Sequence, residues 1–430
     1  MVTMIRHIDN IFLKLAKGSE IRRAVRNIGF LTILQGANSV LPLILLPYLV
    51  RVLGIDMFGV LVFVQVFVGY FQIAADYGFS WSGTRAVAVC RDNVTSRSEL
   101  FCSIIATKLL LSILCCGAVC VAVIVFEKSL SPRDLVLLSL GTIIGNAITP
   151  LWFFQGMERM DYFAVFSVIP KALSTAAIFA LVRTSEDVAL VPLFQSAGGL
   201  LGGVLSIFAA VRLFELKAAT PQFNKIWQQL AQNWQIFAST IGISLYRNTN
   251  IFLLGLIGTP TEVGSYAIAE KLVKAVQGAV EPVSQSLFPM FGNKVGQLSQ
   301  GEVKSQLFRI SKFYAVGLSM LCLLLIAAAA WIVPMVFGNL AERAVLNVQI
   351  GSFVIFFGGL NFLFGVVGLV NFGKKNAFLW CVNLCGLFNL PFCFLMSTLF
   401  RDTGASMAFS VSEGLLTLLF LRQLSRLKRS

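Results

Sequence analysis

Long runs of apolar residues, separated by short polar stretches, fill the chain from residue 27 to residue 421. Each run is close to 20 residues or longer, and about 20 residues of helix cross a hydrocarbon layer of ~30 Å. The pattern therefore predicts twelve membrane-spanning helices. They are expected at residues 27–50, 57–76, 101–126, 135–155, 161–182, 189–211, 235–257, 263–289, 311–337, 344–370, 377–400 and 404–421.

Composition supports an all-α integral membrane protein. Of the 430 residues, 57% are apolar and 13% are charged, which excludes a soluble globular chain. The longest connections, at about 77–100, 212–234 and 290–310, are too short for a catalytic domain. The sequence therefore predicts a protein that works within the membrane, without a catalytic site.

The basic residues predict how the chain is oriented. Of 34 lysines and arginines, 23 lie in segments on the same side as the termini and 6 in the opposite loops. This bias predicts that both termini are cytoplasmic. The basic segment 1–26 is expected either to lie on the anionic leaflet as a short helix or to be a disordered tail. Because the positive charge is scattered over short loops, we expect no nucleic-acid partner.

A repeated polar pattern predicts an internal duplication. Two predicted helices carry polar residues and a glycine at spacings of 4, 3 and 4, with an offset of 205 residues, and the same offset relates Gly59 to Gly264. The two sets are Gln65, Gly69, Gln72 and Asp76, and Glu270, Lys274, Gln277 and Glu281. We therefore predict two six-helix bundles, residues 1–215 and 216–430, around a central cavity that opens alternately to each side.

Ionisable residues at membrane depth predict that this cavity is cationic. A charge there costs ~2.5–3.5 kcal/mol, so each needs a partner or water. The basic ones are Lys108, Lys171, Arg247, Lys271 and Lys274. The acidic ones at similar depth are Glu270, Glu281 and Glu413, with Asp76 near a helix end. Lys108 lies close enough to the start of its helix that we expect it to snorkel to the surface.

Arg247, Lys171 and Lys274 are the candidate anion-binding residues. Arg247 lies midway along its helix, and a guanidinium can hold a phosphate with two parallel hydrogen bonds, although an ion pair with Glu281 or Glu270 is an alternative. Lys171 follows a proline, which frees a backbone carbonyl. The spacing of Lys274 from Glu270 also fits a simple helix ion pair.

Further polar residues are candidates for lining the cavity or coupling transport to an ion. They are Glu270, Gln277, Glu281, Asp76, Gln72, Asn250 and Glu413. Glu413 is expected either to be a buried neutral acid or to carry a proton. With His7 as the single histidine and no Cys or His cluster, we expect no metal site. The sequence contains no phosphate-binding loop of the ATPase type, so we expect no cofactor and no ATP-driven step by this chain alone.

Several motifs together resemble the bacterial O-antigen flippases, the Wzx-type polysaccharide transporters. They are Leu-Pro-Tyr-Leu-Val-Arg-Val-Leu-Gly at 46–54, Asp-Tyr-Gly-Phe at 76–79, Arg85, Arg-Asp-Asn at 91–93, Trp-Phe-Phe-Gln-Gly-Met-Glu at 152–158 and Val-Gly-Ser-Tyr-Ala-Ile-Ala-Glu-Lys at 263–271. The resemblance implies two six-helix bundles around a cationic cavity, as in the superfamily of multidrug and oligosaccharidyl-lipid exporters. Asn250 departs from the acidic residue expected there, which argues against transferring an ion-coupling role to it.

The resemblance also implies a substrate and partners. The substrate would be an undecaprenyl-diphosphate-linked oligosaccharide repeat unit, moved to the periplasmic leaflet of the inner membrane. The partners would be membrane lipids, a polysaccharide polymerase and a chain-length regulator. Two alternatives stay open: a cation-coupled multidrug exporter of the same superfamily, for which a cationic interior is unfavourable, and a membrane-embedded polysaccharide polymerase or ligase, which would need a large outward loop.

Overall fold

The computed structural model describes residues 19–125, 133–220, 223–295, 297–338 and 341–426. Within these ranges the chain is helical and contains no β-strand. Eight helical stretches of the described residues are long and apolar enough to cross a membrane. The predicted all-α membrane fold is confirmed, whereas the number of twelve spanning helices stays a prediction.

In the part of the chain that the structure describes, seven helices precede residue 214. They are α1 (Ser19–Asp76), α2 (Phe79–Val89), α3 (Val94–Val125), α4 (Arg133–Ile148), α5 (Leu151–Gly156), α6 (Met160–Leu181) and α7 (Leu190–Leu213), the last preceded by a 3₁₀ turn at Ser185–Ala189. Five helices follow. They are α8 (Phe223–Ile257), α9 (Pro260–Val295), α10 (Gln300–Phe337), α11 (Arg343–Asn361), which continues as a π-helix at Phe362–Val370, and α12 (Lys375–Ser425).

Two of these helices are interrupted by single residues with positive φ. In α1, Gly54 has φ 77° and ψ 163°. In α12, Arg401 has φ 57° and ψ −134°, a conformation that is unfavourable for a residue with a Cβ atom. Each of these helices therefore consists of two helical segments joined by one residue, and that residue lies between two of the spans that the apolar pattern predicts.

The described residues form two compact units. The first comprises those within Met1–Leu45 together with Val64–Ile241, and the second comprises Leu46–Phe63 and those within Gly242–Ser430. The predicted halves, 1–215 and 216–430, assign residues 46–63 and 216–241 differently. The predicted duplication of six-helix bundles stays a prediction.

Close packing of small residues holds α4, α6 and α7 together in the first unit. A Cβ atom at Gly145 of α4 would lie 2.8 Å from the backbone of Gly199. A Cβ atom at Gly198 would lie 2.8 Å from the Ser174 side chain of α6, and one at Gly203 would lie 2.4 Å from Ile148. Glycines therefore let α7 approach both neighbours closely, as is common between membrane helices.

The motif at 152–158 forms the centre of a structural cluster in the first unit. Trp152 is fully buried, and its ring lies 3.0 Å from the position that a Cβ atom at Gly83 of α2 would occupy. The Arg91 guanidinium donates to the Gly156 carbonyl at 2.8 Å and pairs with Glu158 at 3.0 Å. The residues of this motif therefore hold α2 and the connection after it against α5.

An ion pair stabilises the connection between α5 and α6. The Arg159 guanidinium lies 3.3 Å from the Asp161 carboxylate and 4.4 Å from the centre of the Tyr162 ring. Burial lowers the pKa of Arg159, but hydrogen bonding to Asp161 and its negative charge raise that pKa above the usual value overall. The arginine therefore serves as a permanent cation at the start of α6.

A reciprocal glycine contact joins α1 and α9 in the second unit. A Cβ atom at Gly59 would lie 1.9 Å from the Pro260 carbonyl oxygen, and one at Gly264 would lie 2.4 Å from the Ile55 carbonyl oxygen. Thr261 also donates a hydrogen bond to Asp56. Gly59 and Gly264 are separated by the 205-residue offset of the sequence pattern, and so are Ile55 and Pro260. Two pairs of residues related by this offset therefore make reciprocal contacts.

Candidate functional site

Lys171 carries an exposed positive charge in the middle of an apolar helix of the first unit. It lies eleven residues after the start of α6, and its ammonium donates to the Asn38 side-chain oxygen at 2.7 Å. Pro170 cannot donate to the preceding turn, while Ser174 and Thr175 hydroxyls donate to the Lys171 carbonyl. Asn38 is a residue of this site that the sequence pattern did not identify.

The expectation that Lys108 snorkels to the surface is wrong. Its side chain is only 2% exposed, and its ammonium lies 2.8 Å from the Asp76 carboxylate, with the Asn146 carbonyl at 3.4 Å. The Ser80 hydroxyl also donates to Asp76, at 3.0 Å. Asp76 is therefore the ion-pair partner of Lys108 and not an isolated acid.

Gln65 and Gln72, which belong to the same polar pattern as Asp76, connect α1 to neighbouring helices of the first unit. The Gln72 amide donates to the Thr142 hydroxyl of α4 at 2.7 Å, and the Gln65 amide donates to the Gln195 side-chain oxygen of α7 at 3.1 Å. Such cross-helix hydrogen bonds satisfy polar groups that would be costly in hydrocarbon. Gln72 therefore has a clear packing role.

In the second unit, α9 carries the ion pair that the four-residue spacing favours. The Lys274 ammonium lies 2.6 Å from the Glu270 carboxylate; the lysine side chain is 45% exposed and that of the glutamate 6%. One turn further on, the Gln277 amide donates to the Val354 carbonyl of α11 at 3.0 Å. Glu281 is exposed and accepts a hydrogen bond from Gln285 at 3.0 Å.

Glu413 belongs to a buried polar cluster where α11 changes into the π-helix. Its carboxylate accepts from the Asn361 amide at 2.6 Å, and the Thr417 hydroxyl donates to the Asn361 oxygen at 2.8 Å. A Cβ atom at Gly358 would lie 2.6 Å from the Gln277 amide and 3.9 Å from the Glu413 carboxylate. The structure therefore brings the predicted residues Gln277 and Glu413 to one place, at a type of helix irregularity often found at functional sites.

Asn250 takes part in a chain of buried hydrogen bonds. Its amide donates to the Tyr266 hydroxyl at 3.1 Å, and its oxygen accepts from the Asn389 amide at 2.9 Å. The Ser412 hydroxyl in turn donates to Asn389 at 2.9 Å. These bonds link α8, α9 and both segments of α12. Arg247 lies one turn before Asn250 in α8, and its side chain lies outside the described residues.

A charged network at the start of α11 was not predicted from the sequence. The Arg343 guanidinium lies 3.2 Å from the Asp402 carboxylate and 3.4 Å from Glu262. Asp402 is 1% exposed and also accepts from the Asn347 amide at 2.8 Å, and that amide donates to the Ser265 hydroxyl. Because Glu262, Arg343 and Asp402 flank predicted helix ends, the apolar pattern treats them as ordinary loop charges.

The predicted phosphate-binding residues divide between the two units. Lys171 lies in the first unit, and Arg247 and Lys274 lie in the second. Within the described ranges, no group of three or more His, Cys, Asp or Glu side chains is placed to hold a metal ion. Both units therefore place ammonium groups, amides, hydroxyls and carboxylates among the predicted site residues.

Comparison with solved structures defines the class of fold. The chain resembles an inward-facing multidrug resistance MATE family transporter of the MOP superfamily, with a TM-score of 0.66 and 14% identity over 94% of this chain and 99% of that one. It also resembles the eukaryotic MATE transporter AtDTX14, with a TM-score of 0.56 and 12% identity over 94% and 96%. The fold is therefore that of the MATE transporters.

Sequence comparison then identifies the family. The family model described as "Polysaccharide biosynthesis protein" matches residues 24–294, more than half of the chain, and the protein belongs to this family. Relatives named "Putative O-antigen transporter" occur in Escherichia coli (strain K12), 27% identical over 92% of this chain and 95% of the relative, and in Shigella dysenteriae, 28% identical over 72% and 76%. The resemblance to the Wzx-type flippases is confirmed, and the chain is a multi-pass membrane protein.

Proposed function

We propose that the protein is a flippase that moves undecaprenyl-diphosphate-linked O-antigen, or a related polysaccharide repeat unit, across the bacterial inner membrane. Both termini would lie in the cytoplasm, and the two six-helix bundles would rock to expose a central cationic cavity to each side in turn. Membership of the polysaccharide biosynthesis family supports this proposal, as does the naming of the relatives as O-antigen transporters.

The exposed ammonium of Lys171 is the observation that carries the proposal. The residue lies halfway along a helix of 22 residues that is apolar enough to span a membrane. A lysine at that depth is too far from either end to reach the surface easily, so its charge needs a polar environment. With Asn38 beside it, the site offers hydrogen-bond donors to an anionic group such as a diphosphate.

The other candidate residues fit into the same mechanism. Arg247 would hold the diphosphate with paired hydrogen bonds, while the lipid tail stays in the bilayer. Lys274 is paired with Glu270, so a phosphate group that binds Lys274 would compete with that carboxylate. This competition makes Glu270 a candidate for coupling substrate binding to an ion.

The first experiment is lipid extraction from cells depleted of this protein but still able to assemble the repeat unit. Accumulation of a lipid-diphosphate oligosaccharide on the cytoplasmic leaflet is expected, and its mass would reveal the sugars. If the lipid-linked unit reaches the periplasmic leaflet normally, in a host without a second flippase, the proposal fails. Efflux of cationic dyes in that case would favour the multidrug-exporter alternative.

Substitutions test the phosphate-binding residues. Lys171→Ala and Arg247→Ala should each reduce export of surface polysaccharide by tenfold or more, about 1.4 kcal/mol of lost binding, while Lys171→Arg and Arg247→Lys retain part of it. Lys312→Ala, which removes an exposed lysine of α10, is the matched control and should export normally. Full export by both alanine variants, at normal protein level, would contradict the assignment.

A further inference from the structure

The first part of α8 is fixed in rotation by contacts of one face with the rest of the first unit. The Gln229 amide donates to the Ser103 hydroxyl of α3 at 3.1 Å, and the Phe237 ring stacks on Tyr77 with 4.3 Å between centroids. Asn233, on the same face between them, is buried. Because these contacts hold one side of the helix, the residues on the other side are held outward in a defined register.

The outward side carries two neighbouring stripes. Trp227 and Trp234 form the first, 68% and 56% exposed, with Ala231 between them. Seven residues place the two indoles on the same side of the helix, about 10 Å apart along its axis. The second stripe is polar and exposed throughout, at spacings of 4, 3 and 4. It consists of Gln228, Gln232, Gln235 and Ser239.

The chemistry of this surface is that of a binding site for neutral sugars. No charged residue occurs from residue 226 to residue 246, in a chain with a net charge of +14. A glutamine amide both donates and accepts hydrogen bonds, as a sugar hydroxyl does, and an indole ring can pack against the C–H face of a sugar ring while its N–H stays available. An anionic diphosphate or a cationic drug would instead require charges.

We propose that this surface of α8, formed by Trp227, Gln232, Trp234 and Gln235, binds the saccharide part of the lipid-linked substrate. The inference rests on the proposed function and adds to it the place where the sugars, rather than the phosphates, are held. The exposed tryptophan Trp331 in α10 offers a contrast, because its exposed neighbours Ile332 and Met335 are apolar. That arrangement suits lipid, whereas the exposed glutamines of α8 suit a ligand that exchanges hydrogen bonds with them.

The test uses transport in proteoliposomes with two substrates. One is the lipid-diphosphate oligosaccharide extracted from the depleted host, and the other is the same lipid diphosphate carrying a single sugar. The variants Trp227→Ala/Trp234→Ala and Gln232→Ala/Gln235→Ala should each move the oligosaccharide about fivefold to tenfold more slowly, the effect of losing one or two contacts. Transport of the single-sugar lipid should stay at the wild-type rate.

The controls separate this inference from the proposed function. Trp331→Ala should transport both substrates normally; an effect equal to that of the α8 variants would overturn the inference in favour of a general role of exposed tryptophans at the membrane surface. An equal loss of both substrates in the α8 variants would also overturn it. If the wild-type protein moves neither substrate, the proposed function itself is wrong. If it moves both and the α8 variants behave like wild type, only the assignment of this surface to sugar binding is wrong.

Discussion

Breaking the buried ion pair between Lys108 and Asp76 should destabilise the first unit in an asymmetric way. At 2.8 Å and an effective dielectric constant of about 20, the attraction between the two charges is about 6 kcal/mol, of which desolvation offsets a large part. Asp76→Asn leaves Lys108, 2% exposed, without its carboxylate, so we expect a loss of about 3 kcal/mol.

The reverse substitution should cost less. Lys108→Met leaves Asp76 17% exposed and still bonded to the Ser80 hydroxyl, so we expect a loss of about 2 kcal/mol. The double variant has no charge left to compensate and should also lose only about 2 kcal/mol, well below the sum of about 5 kcal/mol. The coupling energy between the two side chains is therefore about 3 kcal/mol.

Unfolding of the four proteins in mixed micelles, titrated with a denaturing detergent, measures these free energies. The reasoning would be refuted if the loss of the double variant equalled the sum of the two single losses to within about 0.5 kcal/mol. Such additivity would mean that the two charges do not interact. It would also be refuted if Lys108→Met were more harmful than Asp76→Asn. The measurement tests the pairing directly, since transport is not involved.

Two further predictions concern the second unit and use the same unfolding assay. Gly59→Ala and Gly264→Ala should each lower the free energy of unfolding by about 2 kcal/mol or more, because the new methyl group meets a backbone carbonyl. Gly69→Ala, with nothing within 4 Å of the new methyl group, should be neutral or stabilising. Equal effects at all three positions would contradict the close contact. Asp402→Asn should lower the free energy of unfolding by about 2 kcal/mol, because it replaces a carboxylate that accepts from both Arg343 and Asn347. Glu281→Gln, at an exposed position, should change that free energy by less than about 0.5 kcal/mol. Similar values for the two variants would mean that the network around Arg343 contributes little.

The apolar pattern predicted the apolar parts of the helices, but not their polar extensions. The span expected at 235–257 is the later part of α8, which begins at Phe223, and the connection expected at 77–100 contains α2, Phe79–Val89. Both added regions are amphipathic and held by specific contacts, such as that between Trp152 and Gly83. Hydrophobicity detects contact with lipid, so it does not detect helices that are stabilised by contact with protein.

The chemistry of the site was only partly predictable for a similar reason. The spacing of Glu270 and Lys274 fixes an ion pair because both residues lie on one helix. Lys108 and Asp76 lie on different helices, and their pairing depends on how α1 and α3 pack, which the spacing of residues does not contain. The same holds for Asn38, whose closeness to Lys171 across 133 residues is a property of the fold.

The reciprocal contact of Gly59 with Pro260 and of Gly264 with Ile55 bears on how such a chain could arise. A two-fold axis between identical copies produces every contact twice. When residue i of the first copy contacts residue j of the second, residue j of the first copy contacts residue i of the second. If the predicted duplication holds, the same glycine of an ancestor of half this length would have faced its own copy across a homodimer interface. Joining two copies into one chain would keep that contact and release the two halves to change independently, so that a lysine could appear at position 274 where its counterpart at position 69 stayed glycine.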